Sequence, residues 1–443
     1  VSIDLPPGFS FGASTAAYQI EGAVAEGGRG RSIWDTFCAE PSRIVDGSSG
    51  AEACDHYHRY AEEVALLKGL GVDGYRLSIA WPRIQPTGTG APNAEGIAFY
   101  DRLLDELLGA GIDPMVTLYH WDLPQALEDD GGWLNRATAE RFSEYAAICG
   151  ERFGDRVRQW VPVNEPNVAS LMGYALGMHA PGKTLMFDAL PACHHLLLAH
   201  GLGTQALRGA GVGEIGCANN HAPMWPASDG DGDLAATGLF DDLWNNLFAD
   251  PMLLGEWPED LAPLMEPLAR EGDLATINQP LDFYGVNYYN PYLVAAAAEG
   301  AELPFEYRDI EGYPTTDFGW PVVPDGLREQ LVTLHRRYTD LPPVVITESG
   351  CAYNLGPDET GVVDDRARID YLDSHLRAVA DAIAEGVDVR GYFTWSIIDN
   401  FEWSEGYTQR FGLVHVDYDT QQRTPKKSYD WYRAYIAAAG QDR

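Results

Sequence analysis

The chain has 443 residues, of which 66 are Asp or Glu and 30 are Lys or Arg, leaving a formal net charge of −36. A surface this acidic repels nucleic acid and anionic membranes, which disfavours a phosphate-rich partner, and it repels phosphorylated sugars on approach unless a local basic pocket offsets it. With 45% hydrophobic residues, the composition is ordinary for a globular protein, long enough for one barrel with insertions or for two smaller domains.

Short apolar runs mark the strands in chain order: FSFGAST (9–15), GYRLSIAW (74–81), DPMVTLYH (113–120), QWVPVNEP (159–166), EIGCANNH (214–221), DFYGVNYY (282–289), PVVITESG (343–350) and VRGYFTWSIIDN (389–400). Near-continuous apolarity of this kind suits parallel strands buried on both faces. Amphipathic stretches alternate with them. The segment 138–155 gathers Phe142, Tyr145, Ile148 and Phe153 near one face. The segment 365–386 repeats Ile369, Leu372, Leu376, Val379 and Ile383 and stops at Gly386, a helical period with a glycine terminator. Eight alternations predict the α/β class and a single (β/α)8 TIM barrel over residues 1–443. An open doubly wound sheet is the alternative, but no Gly-x-Gly-x-x-Gly opens a helix after a strand.

The six cysteines, at 38, 54, 149, 193, 217 and 351, include no Cys-x-x-Cys pair and read as buried free thiols. No apolar run is long enough to span a bilayer, and the opening VSIDLPPGFSFGAST lacks the basic-then-apolar pattern of a secretory signal; the expected location is cytoplasmic.

The strand ends carry the chemistry. His120 and Trp121, Asn164 and Glu165, Asn219 to His221, Asn287 and Tyr289, Glu348 and Trp395 all follow apolar runs, and the C-terminal face of a barrel is where active sites are built. Strands that simply ended where polarity begins would favour Gly, Asp and Ser instead. Either glutamate alone reads as a solvated loop carboxylate. Two at facing strand ends can flank one glycosidic bond, about 5–5.5 Å apart in retaining enzymes. One attacks the anomeric carbon; the other protonates the leaving oxygen and later activates water. Arg76 could keep one carboxylate ionised, or serve as a structural ion pair inside the barrel. Gln19, His120, Asn164 and Glu402 can hydrogen-bond sugar hydroxyls, and Trp121, Tyr289, Trp395 and Trp403 offer flat apolar faces.

Ten segments in order, FGASTAAYQIEG, SIWDTF, YRLSIAWPRI, YHWDLPQAL, VNEP, GMHAPG, YGVNYY, ITESG, FTWSIIDNFEW and RFGLVHVDY, give a chain that resembles the family-1 glycoside hydrolases of the β-glucosidase type. The resemblance runs from the first strand to the C-terminus. It implies retention of β-configuration, with Glu165 at the acid/base position and Glu348 at the nucleophile. It places Gln19, His120, Trp121, Asn164, Glu402 and Trp403 around the non-reducing sugar, with Trp395 as floor. Tyr289 and Arg76 fall at positions that contact the nucleophile, Asn287 lies beside them, and Phe411 closes the wall. Two departures flank the glutamates. Ser349 stands where the family usually has Asn, and Pro162 where it has Thr or Ser; a proline removes a ladder donor, so a local distortion near Glu165 is expected.

The function this implies is exo-hydrolysis of terminal β-D-glucosyl residues, with β-galactosidase or β-fucosidase side activity and short oligosaccharides such as cellobiose as partners. No cofactor, metal, nucleic acid or membrane is implied, and a homo-oligomer is left open. Two alternatives stand beside it. A 6-phospho-β-glucosidase is disfavoured by Glu402, which would repel a 6-phosphate, and a non-catalytic sugar-binding protein by the presence of both glutamates. The aglycone, governed by loops around His179, Trp320 and 222–234, is not readable. SDGDGDL (228–234) lacks the Gly and Glu of a calcium loop and reads as a solvated acidic turn. His194, His195 and His200 read as surface or packing residues.

Overall fold

The computed structural model describes residues 5–441; residues 1–4 and 442–443 of the expected barrel span lie outside the described residues. Eight parallel strands close a barrel. They are β1 (Ser10–Ser14), β2 (Gly74–Ser78), β3 (Asp113–Tyr119), β4 (Gln159–Val163), β5 (Glu214–Asn220), β6 (Phe283–Tyr288), β7 (Val344–Ser349) and β8 (Val389–Trp395). Helices such as His56–Leu70, Ala94–Ala110, Ala137–Phe153, Leu190–Gly209, Pro324–Arg337 and Arg366–Ala384 return the chain between strands. The Ala94–Ala110 helix starts where the Asn93 side chain accepts from the Glu95 amide and stops at left-handed Gly111, an N-cap and a C-terminal glycine in their usual places.

Inside the barrel, Met115, Val161, Ala218, Phe283, Val345 and Phe393 form their own apolar cluster. Phe393 fills the space beside β1 and β2, and a Cβ on Gly12 would fall within its ring. Glycine at that position is therefore a packing requirement. All eight expected runs are strands, but the eighth ends at Trp395 rather than at residue 400. The next residues fold back, and Ile398 bridges Val414 outside the barrel. The helix expected to stop at Gly386 ends at Ala384, with Gly386 at φ 102° just beyond it.

Pro162 coincides with the expected irregularity. The β4–β5 ladder pairs Gln159 with Glu214 and Trp160 with Ile215, then lapses until a single bridge joins Asn164 to Ala218. Strand β4 stays paired to β3 at Val161 and Val163, where the ladder skips only Pro162 itself.

Two small sheets lay outside the sequence reading: a hairpin of Val414–Asp417 and Gln422–Pro425, and a three-stranded sheet of Met224–Pro226, Tyr292–Ala296 and Phe305–Arg308. The acidic turn is less solvated than expected. Asp229 and Asp231 are exposed, but Asp233 accepts from Ser228 Oγ at 2.6 Å and the Ala296 amide at 2.8 Å, tying the turn to the small sheet. Of the two readings given for the three helical histidines, packing holds: all three are buried. His194 faces Asp273, a carboxylate brought in from a distant helix, at 2.9 Å. Cys38 is half-buried, and the other five cysteines are buried, all as free thiols. Among the described residues no helix is long and apolar enough to cross a membrane.

Candidate active site

The C-terminal ends of the strands surround a cavity of about 290 Å³. Glu165 follows β4 and begins the short helix Pro166–Ser170, with Pro166 at its first position. Glu348 is the penultimate residue of β7, where it sits in register with Asn287 of β6. Three residues of the cavity wall adopt left-handed backbone without being glycine: Trp121 at φ 76°, Glu165 at φ 44° and Trp403 at φ 47°. Such conformations cost about 1–3 kcal/mol each and persist where surrounding contacts over-determine them. For Glu165 the contact is its amide, which donates to the Ala218 carbonyl at 2.7 Å.

The two glutamates meet different partners. Both oxygens of Glu348 face donors: Oε1 forms an ion pair with Arg76, and Oε2 accepts from the Tyr289 hydroxyl at 2.8 Å. Glu165 takes amide donors on Oε1 alone, from Asn287 at 2.7 Å and Asn220 at 3.1 Å. Burial and the nearby Glu348 charge push the Glu165 carboxyl well above the usual range, against the opposing pull of Asn287, Asn220 and Arg76. Burial of this kind favours the neutral form of a carboxyl group.

A hydrogen-bonded relay joins the pair. Asn287 Nδ2 also donates to Asn164 Oδ1 at 3.1 Å, which accepts from Arg76 Nη2 at 2.6 Å. Thr347 Oγ1 donates to Asn287 Oδ1 at 2.6 Å, and Arg76 Nε donates to Thr117 Oγ1 at 3.2 Å. Each amide is thereby fixed in orientation from two sides.

At the other end of the cavity, aromatic rings pack as a box. Trp403 stacks on Tyr18 at 6.4 Å and 8°, and lies 4.6 Å from both Trp121 and Trp34. The His120 ring is sandwiched between Trp395 and Trp403, with centroids at 5.9 Å on each side. Gln19 Nε2 donates to the Phe401 carbonyl at 2.8 Å and Asn400 Oδ1 at 3.1 Å. Its Oε1, like His120 Nδ1, is buried and makes no hydrogen bond to the described residues. Glu402 sits beside them, pushed up to about 8 by burial and by the charges of Glu348, Glu405 and Glu165.

The structure brings all thirteen sequence-selected residues to this end of the barrel, in two layers. Glu165, Glu348, His120, Trp121, Tyr289, Trp395, Glu402, Trp403 and Phe411 line the cavity. Gln19, Arg76, Asn164 and Asn287 are almost fully buried and hold the lining residues from behind. Sequence reasoning missed Asn220, Thr347 and Thr117 as orienting groups, and Met172, Trp244 and Glu405 in the wall. Asn220 had a signal, its place in the polar end of β5; Thr117 and Thr347 lie inside apolar strands and had none. No group of three or more His, Cys, Asp or Glu side chains among the described residues is placed to hold a metal.

Comparison with known proteins agrees with this geometry. The family model described as glycosyl hydrolase family 1 matches residues 1–441. A thermostable β-glucosidase B from Thermobispora bispora is 48% identical, over 99% of this chain and 92% of the relative. A bifunctional β-D-glucosidase/β-D-fucosidase from Bifidobacterium breve is 45% identical over 98% of each chain. The crystal structure of a psychrophilic β-glucosidase from Micrococcus antarcticus superposes with a TM-score of 0.94 at 46% identity, covering 98% of this chain and 97% of that one.

Proposed function

Since the chain belongs to glycosyl hydrolase family 1, we propose that it hydrolyses terminal β-D-glucosyl residues with retention, using Glu348 as nucleophile and Glu165 as acid/base. The enzyme is a retaining β-glycosidase of the β-glucosidase type. The observation that carries the assignment of roles is the asymmetry of the two carboxylates. Glu348 has its oxygens held by Arg76 and Tyr289, which orients it for attack on the anomeric carbon. Glu165 is held at one oxygen only and is pushed toward its protonated form, as an acid must be.

In the first step the Glu165 proton passes to the glycosidic oxygen while a Glu348 oxygen bonds to the anomeric carbon and the aglycone departs. In the second, Glu165, now an anion, takes a proton from water, whose oxygen displaces Glu348. The amide donors of Asn287 and Asn220 support that anion. The two steps need opposite charge states of one group, and the site offers burial for one and hydrogen bonds for the other.

Glu402 orients the sugar by accepting from its 4- and 6-hydroxyls, with Gln19 and His120 supplying further hydrogen bonds and Trp395 and Trp403 apolar faces. A 6-phosphate would lie near Glu405 and meet no Lys or Arg among the residues of the cavity wall, which speaks against phosphorylated substrates. Activity toward β-fucosides and toward cellobiose belongs to the same proposal. So does one catalytic domain, working in a reducing cytoplasmic compartment; the free, mostly buried thiols support that location.

Leaving-group dependence tests the acid. Glu165→Ala should spare dinitrophenyl β-glucosides, whose phenolate leaves unaided, and lower kcat/KM for methyl β-glucoside by about 10²–10⁴-fold. Equal losses on both substrates would remove Glu165 from the acid role.

A further inference from the structure

Beyond the catalytic cavity, and sharing Met172 and Trp244 with it, lies a second pocket of about 60 Å³. Its remaining wall includes Leu243 and Phe240 from one side and Leu303 and Phe305 from the other. None of its lining residues is charged. Only Trp244 and Tyr307 carry a polar side-chain group, and the Trp244 indole already donates to Asn220 Oδ1 at 3.1 Å. Farther out, Leu176, Met186, Leu303 and Phe305 also border an open hollow of about 300 Å³ that contains Glu302 and Glu306. The three spaces share wall residues in series.

The direction of this series is fixed by the acid. Asn220, which accepts from Trp244, donates through Nδ2 to Glu165 Oε1 at 3.1 Å. The apolar pocket therefore begins two residues behind the carboxyl that protonates the glycosidic oxygen. Trp403, Trp121 and Glu402, proposed to hold the sugar, line the catalytic cavity but not the apolar pocket. An aglycone leaving from Glu165 faces Asn220, Met172 and Trp244.

Resting on the glycosidase reading above, we propose that this pocket seats the apolar chain of the aglycone, and that the enzyme prefers β-glucosides of linear, medium-length apolar alcohols. The second sugar of a disaccharide would stay in the larger cavity, because this pocket's walls offer its hydroxyls almost no partner, and burying them unpaired costs free energy. A fused or branched ring system exceeds a cavity of about 60 Å³; a few methylenes fit it and continue toward the open hollow.

The test compares kcat/KM for methyl, butyl, hexyl and octyl β-D-glucosides below micelle formation, in the parent and in Leu176→Glu and Leu303→Glu. Both leucines are only half-buried, and neither takes part in the chemistry. Primary alkoxides leave with nearly equal ease, so differences along the series report seating of the chain. The parent should favour octyl over methyl by at least about tenfold, with up to about fourfold per methylene seated. Each glutamate variant should remove most of that ratio and leave methyl glucoside turnover unchanged. On the parent alone, octyl 1-thio-β-D-glucoside should inhibit more tightly than its methyl analogue by a similar factor, a readout that needs no variant to fold. A flat series, or a ratio that survives both substitutions, overturns the pocket while methyl turnover stands. Failure to turn over methyl glucoside at all would bring down the glycosidase reading with it.

Discussion

Removing the Asn287 side chain should move the pH at which the acid fails. Asn287 donates to Glu165 Oε1 at 2.7 Å and leads the hydrogen bonds that lower the Glu165 pKa, ahead of Asn220. That bond is strongest to the anion. A hydrogen bond to a charged group contributes about 1.5–3 kcal/mol, and about 1.36 kcal/mol corresponds to one pKa unit. Asn287→Ala should therefore raise the Glu165 pKa by up to about one to two units. The protonated form then persists to higher pH, so the alkaline limb of the kcat/KM profile moves upward. Asn220→Ala, which removes the longer bond at 3.1 Å, should move it the same way by less. The assay is the pH dependence of kcat/KM on methyl β-D-glucoside, whose poor leaving group makes the proton indispensable. Rates will fall in both variants, since Thr347 and Asn164 lose a partner in Asn287→Ala, but the position of the limb decides. A limb that stays put or moves downward refutes the reasoning.

Glu402→Gln tests a trade between sugar binding and stability. The folded Glu402 carboxyl lies at about 8 against an ordinary 4.5, so the folded state holds this proton more tightly than the unfolded one. The stability it contributes is greatest at low pH and is lost as pH rises from 4.5 to about 8, by at most about 5 kcal/mol. Glu402→Gln should lower kcat/KM for glucosides while raising Tm near neutral pH and leaving it little changed in acid; an equal Tm change at both contradicts the shift. Gly12→Ala should destabilise the barrel by about 1–3 kcal/mol, because the added methyl overlaps the Phe393 ring. An unchanged urea midpoint would show that the ring has room to move.

The barrel was legible because its strands are continuous apolar runs, and such runs have few homes other than a parallel sheet covered on both faces. The small sheet of Met224–Pro226, Tyr292–Ala296 and Phe305–Arg308 was not, since its strands are short and half-exposed and so carry little periodic signal. Strand β8 was overrun to residue 400 because Ile397 and Ile398 prolong the apolar run after the chain has left the barrel. At the site, residues that line the cavity stood out as Glu, His and Trp at strand ends. Arg76, Asn164 and Asn287 behind them were named too, but Thr117 and Thr347 were not, and neither were the contacts that join these groups. Asn287 reaches Asn164 across 123 positions and Arg76 reaches Asn164 across 88, and such cross-barrel contacts leave no local trace. Glu348 and Glu165 could be named from the sequence, but their difference in role rests on partners supplied by other strands.

That difference is tested most directly by replacing Glu348 with Gly and adding azide. With the nucleophile gone and Glu165 intact, azide should attack from the side Glu348 occupied. Activated β-glucosides should then give an α-glucosyl azide, identifiable by the anomeric coupling in its proton spectrum. A β-glucosyl azide from this variant would mean that Glu348 is the acid/base and Glu165 the nucleophile, and would contradict the account at its centre.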